Sequence, residues 1–408
     1  MWFRVILLFA EALPATAQTT GWREAALARI EQVRKDTLTV RVVHRDGKPA
    51  AGVTVKATLL EHEFGFGTAV ASAGLLGGGE DSERYRAFIR NNFNMAVLEN
   101  DLKWPQWDRD RQPALDAVAW LRANGIGRVR GHTLVWPGWR WLPRFLKALE
   151  TDPPALRERV RAHIEDIVTA NRGTLVHWDV LNEPFTNHDL MDLLGNPVMA
   201  EWFREARRRD PDALLFINDY NILSAGGQKA DHQDHYHRTI RALLDQGAPL
   251  GGIGMQGHFT QTTPPERMLE ILDRFGEFGL PIAITEFDYQ TKDEAAQAAF
   301  FRDFLTLCFS HPRVRWFLMW GFWEGWHWRP DGAMVRRDWS PKPAYEVWRD
   351  LVFGQWWTRA EAVTDGTGTA TIRGFHGRYG VTALGVKARA SAPVTLPAGG
   401  AAVTLTLP

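Results

Sequence analysis

The sequence predicts an α/β fold: a (β/α)8 (TIM) barrel with a small β-sandwich formed by its N- and C-terminal flanks. Three observations predict it. Between about Phe64 and Asp350, eight short apolar runs alternate with amphipathic helical segments. Each run closes in polar or charged residues. Outside that stretch the apolar residues alternate with polar ones instead, the mark of half-buried strands.

The elements follow in order. Met1–Arg4, the apolar Val5–Ala10 and the small residues Ala15, Thr16 and Ala17 predict a secretory signal peptide over 1–17, hence a secreted or periplasmic protein. No other apolar run reaches the roughly 20 residues that a membrane span requires. An N-terminal β segment, 18–62, comes next. Leu38–Val43 alternates, His44–Pro49 turns, and Val53–Ala57 alternates again, which is a β-hairpin pattern. So short a segment cannot bury enough surface to fold alone. It is expected to pair with a C-terminal β segment, 354–408, whose strand candidates are Thr369–Ile372, Tyr379–Ala383, Gly385–Ala388 and Ala402–Leu407.

The barrel is expected over 63–353. Its runs are Phe64–Val70, Met95–Asn100, Val129–Trp136, Val176–Glu183, Leu214–Asn221, Ile253–Phe259, Pro281–Asp288 and Arg315–Trp323. They are continuously apolar because helices cover parallel strands. Those helices are read at Ala114–Ala123, Ala155–Ala170, Met199–Arg208, Asp234–Asp245, Pro265–Phe278 and Asp293–Phe309. An open doubly wound sheet is the rival architecture. It usually carries a Gly-rich turn after its first strand, where this chain has Ala71-Ser72-Ala73.

Composition narrows the function. Forty-eight basic residues balance forty-eight acidic ones, which argues against nucleic acid or an anionic membrane as partner and suits a neutral polymer. Cys308 is the only cysteine, so no intramolecular disulfide exists. Nineteen tryptophans crowd at Trp104–Trp141 and Trp316–Trp339, as core or as flat faces for pyranose rings. His232, His235 and His237 have no matching carboxylate or Cys set, so neither a metal nor another cofactor is expected. The chain is expected to act as a monomer.

In such a barrel the C-terminal strand ends line the active site. Here they carry Glu99-Asn100 with Lys103, His132 with Trp136, Asn182-Glu183, Asp219-Tyr220, Gln256 with His258, Glu286 with Asp288, and Trp320 with Trp328. Glu183 and Glu286 close runs four and seven, on roughly opposite sides of the mouth. A single strand-end Glu reads as a surface ion pair. Two so placed match the acid and the nucleophile or base of glycosidic cleavage.

These segments resemble glycoside hydrolase family 10, chiefly endo-1,4-β-xylanases. Trp178–Glu183 is similar to its Trp-Asp-Val-x-Asn-Glu, and Thr285–Asp288 to its Thr-Glu-x-Asp. Glu99, Asn100, Lys103 and Trp104 match a further block, as do Gly131–Trp136, Gln256 with His258, and Trp320 with Trp328. The resemblance implies a retaining endo-1,4-β-xylanase acting on xylan or a related β-1,4-linked polysaccharide. It implies Glu183 as acid/base and Glu286 as nucleophile, tuned by His258 and Asp288. Asn182 would bind the sugar 2-hydroxyl. Glu99, Asn100, Lys103, His132 and Gln256 would hold other hydroxyls. Trp136, Trp320 and Trp328 would wall that subsite, with Tyr220 on the leaving side.

Two positions depart from the pattern: Pro137, where many relatives have histidine, and Glu324, where aspartate is common. With the aromatic Pro137–Trp141 stretch, they leave open which side branches the enzyme accepts. An endo-hydrolase of another β-1,4-glycan and a barrel that binds without cutting are the alternatives.

Overall fold

The computed structural model describes residues 15–386 and 388–408, with side-chain surroundings from residue 21 onward. The leader expected over 1–17 lies outside the described residues apart from its last three positions. Those open a helix, Ala15–Val33, that the sequence reading did not anticipate. Its buried Trp22, Ala26 and Ile30 pack towards the helix Glu294–Ser310.

Two strands precede the barrel, β1 (Lys35–Val43) and β2 (Thr54–His62). The barrel then takes β3 (Gly65–Val70), β4 (Met95–Leu98), β5 (Arg128–Gly131), β6 (His177–Asn182), β7 (Leu214–Asp219), β8 (Gly252–Met255), the two-residue β9 (His258–Phe259), β10 (Ile282–Tyr289) and β11 (Val314–Met319). Neighbouring barrel strands pair in parallel, and β11 bonds both β10 and β3, which closes the barrel. Seven of the eight apolar runs became one strand each. The run at Ile253–Phe259 splits into β8 and β9 around Gly257, whose φ of +90° breaks the ladder between Gln256 and His258. All six helical segments formed, within a few residues of their expected bounds.

Packing explains the apolar runs. Phe287 and Phe317 on β10 and β11 meet Phe301 and Phe304 of the helix Glu294–Ser310 at ring distances of 5.2–6.2 Å. Such pairs add about 0.5–1.5 kcal/mol each beyond the buried area. Close approach also requires glycine at Gly131, where a Cβ would lie 2.3 Å from the Trp178 ring.

The flanks form two sheets that share one core. After the barrel come β12 (Arg359–Val363), β13 (Thr369–Phe375), β14 (Gly377–Leu384), β15 (Arg389–Leu396) and β16 (Ala401–Thr406). One sheet runs β13-β1-β16 and the other β12-β2-β14-β15, so each N-terminal strand is bonded on both sides by C-terminal ones. Leu38, Val40 and Val42 of β1 are buried with Val55, Ala57 and Leu59 of β2. Arg34 anchors the sandwich under the barrel by donating to the carbonyls of Phe309, His311 and Val314 at 2.7–2.8 Å.

Two expectations need correction. The turn at His44–Pro49 folds back locally, with Ala50 N–H donating to Val42 O at 2.9 Å, but β1 and β2 do not pair as a hairpin. Alternation shows that a strand has one buried face and does not name its partner. Here the two buried faces enter one core from opposite sheets. Gly385, Val386 and Ala388, expected in a strand, lie outside the strands: Gly385 N–H donates to Ala388 O where the β14–β15 hairpin turns.

Deleting residues 355–408 removes every strand that pairs with β1 or β2. Limited proteolysis of the truncated chain should cut within 36–60, and its melting temperature should fall. A truncated chain with the full-length melting curve and an uncut N-terminal flank would contradict this architecture.

Candidate active site

The mouth of the barrel is built on two asparagine- and glutamine-based frames. Glu183 follows β6 with a φ of +53°, a backbone setting that costs a non-glycine residue about 1–3 kcal/mol. Its N–H holds Asn218 O at 2.8 Å, and its carbonyl accepts from Asn187 N–H at 3.1 Å. This turn presents the carboxylate to three donors: Gln256 Nε2 (2.7 Å) on one oxygen, Trp136 Nε1 (3.1 Å) and Asn187 Nδ2 (3.2 Å) on the other. Burial pushes the Glu183 pKa up to about 7 against the Gln256 hydrogen bond, and the negative charges of Asp219 and Glu286 push the same way.

Glu286 lies within β10, buried. Asn218 Nδ2 donates to one oxygen at 2.8 Å, and His258 Nε2 lies 3.1 Å from the other. Burial alone would raise its pKa. The His258 hydrogen bond, the nearby His132 and the Asn218 contact outweigh burial and hold it below the usual carboxylate range. His258 spans Glu286 and Asp288, whose Oδ2 lies 2.9 Å from Nδ1. Although burial opposes it, these two carboxylates lift His258 to about 9, so it carries a positive charge beside Glu286. Two carboxylates in one pocket are thus pushed in opposite directions, one towards the acid and one towards the anion.

One amide ties the pair together. Asn218 donates to both Glu286 and Asn182 Oδ1 (3.0 Å), and accepts from Thr285 Oγ1 (2.7 Å). Gly254 on β8 makes room for it: a Cβ there would lie 2.5 Å from Asn218 Oδ1. Asn182 Nδ2 is buried with no partner among the described residues, an open donor beside the nucleophile candidate.

The other residues singled out from the sequence meet around this pair. Lys103 Nζ donates to Asn100 Oδ1 at 2.8 Å and lies 5.5 Å from the Trp136 ring centre. Burial lowers its pKa, against the pull of Glu286, Glu99 and Glu183. Glu99, after β4, is raised by burial. His132 Nδ1 sits 2.9 Å from Asp179, which also holds buried Arg130, so Asp179 orients His132. Trp320 meets His132 edge-on at 5.2 Å and His258 at 6.2 Å. Trp328, 48% exposed, is fixed at the rim by its Nε1 donating to Asp288 at 2.7 Å, with the Arg329 guanidinium 4.1 Å from its ring centre. Tyr220 donates to Thr186 Oγ1 at 3.1 Å and meets His232 edge-on.

A family model described as Glycosyl hydrolase family 10 matches residues 56–351. The chain belongs to glycosyl hydrolase family 10. It is 34% identical over 371 residues to the anti-sigma-I factor RsgI6 of Acetivibrio thermocellus, covering 88% of this chain and 46% of that protein. It is 29% identical over 360 residues to endo-1,4-beta-xylanase 1 of Arabidopsis thaliana, covering 87% of this chain and 37% of that one. The chain spans less than half the length of these two relatives. Xylanase 10B of Thermotoga petrophila, solved in complex with xylobiose, matches with a TM-score of 0.64 at 26% identity, over 72% of this chain and 95% of that one.

Several residues of this family 10 site were not singled out from the sequence. Asn218 reads there as one polar residue at a strand end. Asn187 sits in a loop, and its only trace is Gly138, where a Cβ would lie 2.6 Å from Asn187 Oδ1. Trp141 stacks on Trp136 at 3.9 Å and donates to Asn187 Oδ1 at 3.0 Å. Glu324 pairs with buried Lys342 at 2.7 Å. Among the described residues no group of three or more His, Cys, Asp and Glu side chains is placed to hold a metal. His232 instead pairs with Asp219 at 2.9 Å.

Proposed function

We propose that this chain is an endo-1,4-β-xylanase that cleaves internal bonds of xylan with retention, by double displacement. The observation that carries the reading is the placement of Glu183 and Glu286 in one hydrogen-bonded frame at the barrel mouth, joined through Asn218 and Gln256, where burial favours the acid form of the first and His258 the anion of the second. Glu286, ionised, attacks the anomeric carbon while Glu183 protonates the leaving oxygen. Esterification of Glu286 removes its negative charge, which had helped keep Glu183 protonated. Glu183 then ionises more readily and activates the water that hydrolyses the glycosyl-enzyme. Asn182 Nδ2 is free to bind the sugar 2-hydroxyl, a contact that strengthens in the transition state.

The xylanase names of several relatives, and the xylobiose complex of one, support xylan as the substrate. Export, to where such a polymer lies, rests on the leader-like Met1–Ala17. A relative named as an anti-sigma factor raises the alternative of binding without cutting, but this chain keeps both carboxylates with opposed titration. Reducing ends released from xylan, carboxymethylcellulose and mannan test the assignment. Xylan should give at least roughly tenfold the rate of the other two, a difference of about 1.4 kcal/mol in transition-state stabilisation. A preference for either hexose polymer would overturn it.

A further inference from the structure

We propose that the cavity beside Lys103 is a receptor for a uronic-acid branch on the xylan chain, a proposal that rests on the xylanase reading above. The cavity measures about 490 Å³, within the range of about 300–1,000 Å³ typical of small-molecule pockets. Lys103, Trp136, Trp139, Arg140, Trp141 and Arg144 line it, and no lining residue is acidic. It is continuous with the sugar site, because Asn100, Lys103 and Trp136 belong to both.

Charge and shape point to the ligand. Many arginines of this chain face a carboxylate, as Arg157 faces Glu201 and Arg161 faces Glu158. Among the described residues Arg140 and Arg144 pair with none. Lys103 already feels Glu286, Glu99 and Glu183, so the two guanidiniums hold the uncompensated charge. Arg140 lies 4.7 Å from the centre of the Trp141 ring, which stacks on Trp136. Trp136 in turn donates to Glu183. A stacked pair of indoles therefore links the catalytic acid to a cationic, partly apolar hollow. A neutral sugar branch leaves the guanidinium charges unpaired. A hexuronic acid pairs them, since a carboxylate matches the planar fork of arginine.

The test compares a glucuronoxylan with the same polymer after its carboxyl groups are reduced to alcohols. For the Arg140→Gln/Arg144→Gln double variant, kcat/KM on glucuronoxylan should fall roughly five- to tenfold, mainly through KM, with the reduced polymer unaffected. Lysine at both positions should restore part of the loss, and added salt should erode the wild-type preference for the charged polymer. Equal losses on both polymers would show that the arginines act through packing, and no loss on either would show an idle surface. Both results overturn the proposal. A wild-type enzyme inactive on either xylan would instead overturn the xylanase reading, and the branch receptor with it.

Discussion

Glu286→Ala should lower kcat on xylan by roughly 10⁵-fold or more while the protein stays folded and still binds xylan. The size follows from what the side chain does in this geometry. It is the carboxylate held ionised by charged His258 and by Asn218, and no other group among its neighbours replaces it as a nucleophile. The smaller side chain leaves Asn218 and His258 without their shared acceptor, a local loss that should cost stability by about 1–3 kcal/mol without unfolding a barrel of this size. Circular dichroism and xylan-binding measurements separate the two effects. A variant retaining more than about a tenth of wild-type turnover would remove Glu286 from the nucleophile's role.

Glu183→Ala should show a different pattern. Hydrolysis of xylan should fall by roughly 10³-fold, since that leaving group needs a proton, whereas formation of the glycosyl-enzyme from an aryl glycoside with an activated phenol should be far less affected. The pH profile should change with it. Glu183 acts in its protonated form, so wild-type kcat/KM falls as the pH rises through about 7, the pKa to which burial raises it. Glu286 acts as the anion and sits below the usual carboxylate range, so the acid limb lies below that range too. In Glu183→Ala the alkaline limb should disappear and the acid limb remain. Equal losses on both substrates, or an alkaline limb that persists, would place the general acid elsewhere.

The barrel was readable because its strands are covered on both faces, which writes them into the sequence as unbroken apolar runs. The sandwich was readable only in outline. Arg359–Val363 and Arg389–Leu396, now β12 and β15, were missed because they are half-exposed, alanine-rich edge strands with weak β preference, β15 carrying Pro393 as well. The partners of β1 and β2 were misjudged because period-two alternation fixes a face and leaves register and neighbour to tertiary packing. In the site, the carboxylates and histidines stood out by residue type and strand end. Asn218 and Trp141 did not, because their importance lies in partners 36 and 46 positions away, and Asn187 did not because it reaches Glu183, four positions before it, from a loop that carries no strand pattern.

All of this depends on an anionic oxygen of Glu286 closing on the anomeric carbon from the face opposite the departing sugar. With that side chain cut back to alanine, a small anion can take its place. Proton NMR of products formed by Glu286→Ala from an activated β-xylobioside in azide should show restored turnover and an α-xylobiosyl azide. A β-configured azide, or turnover that azide leaves unchanged, would contradict the account.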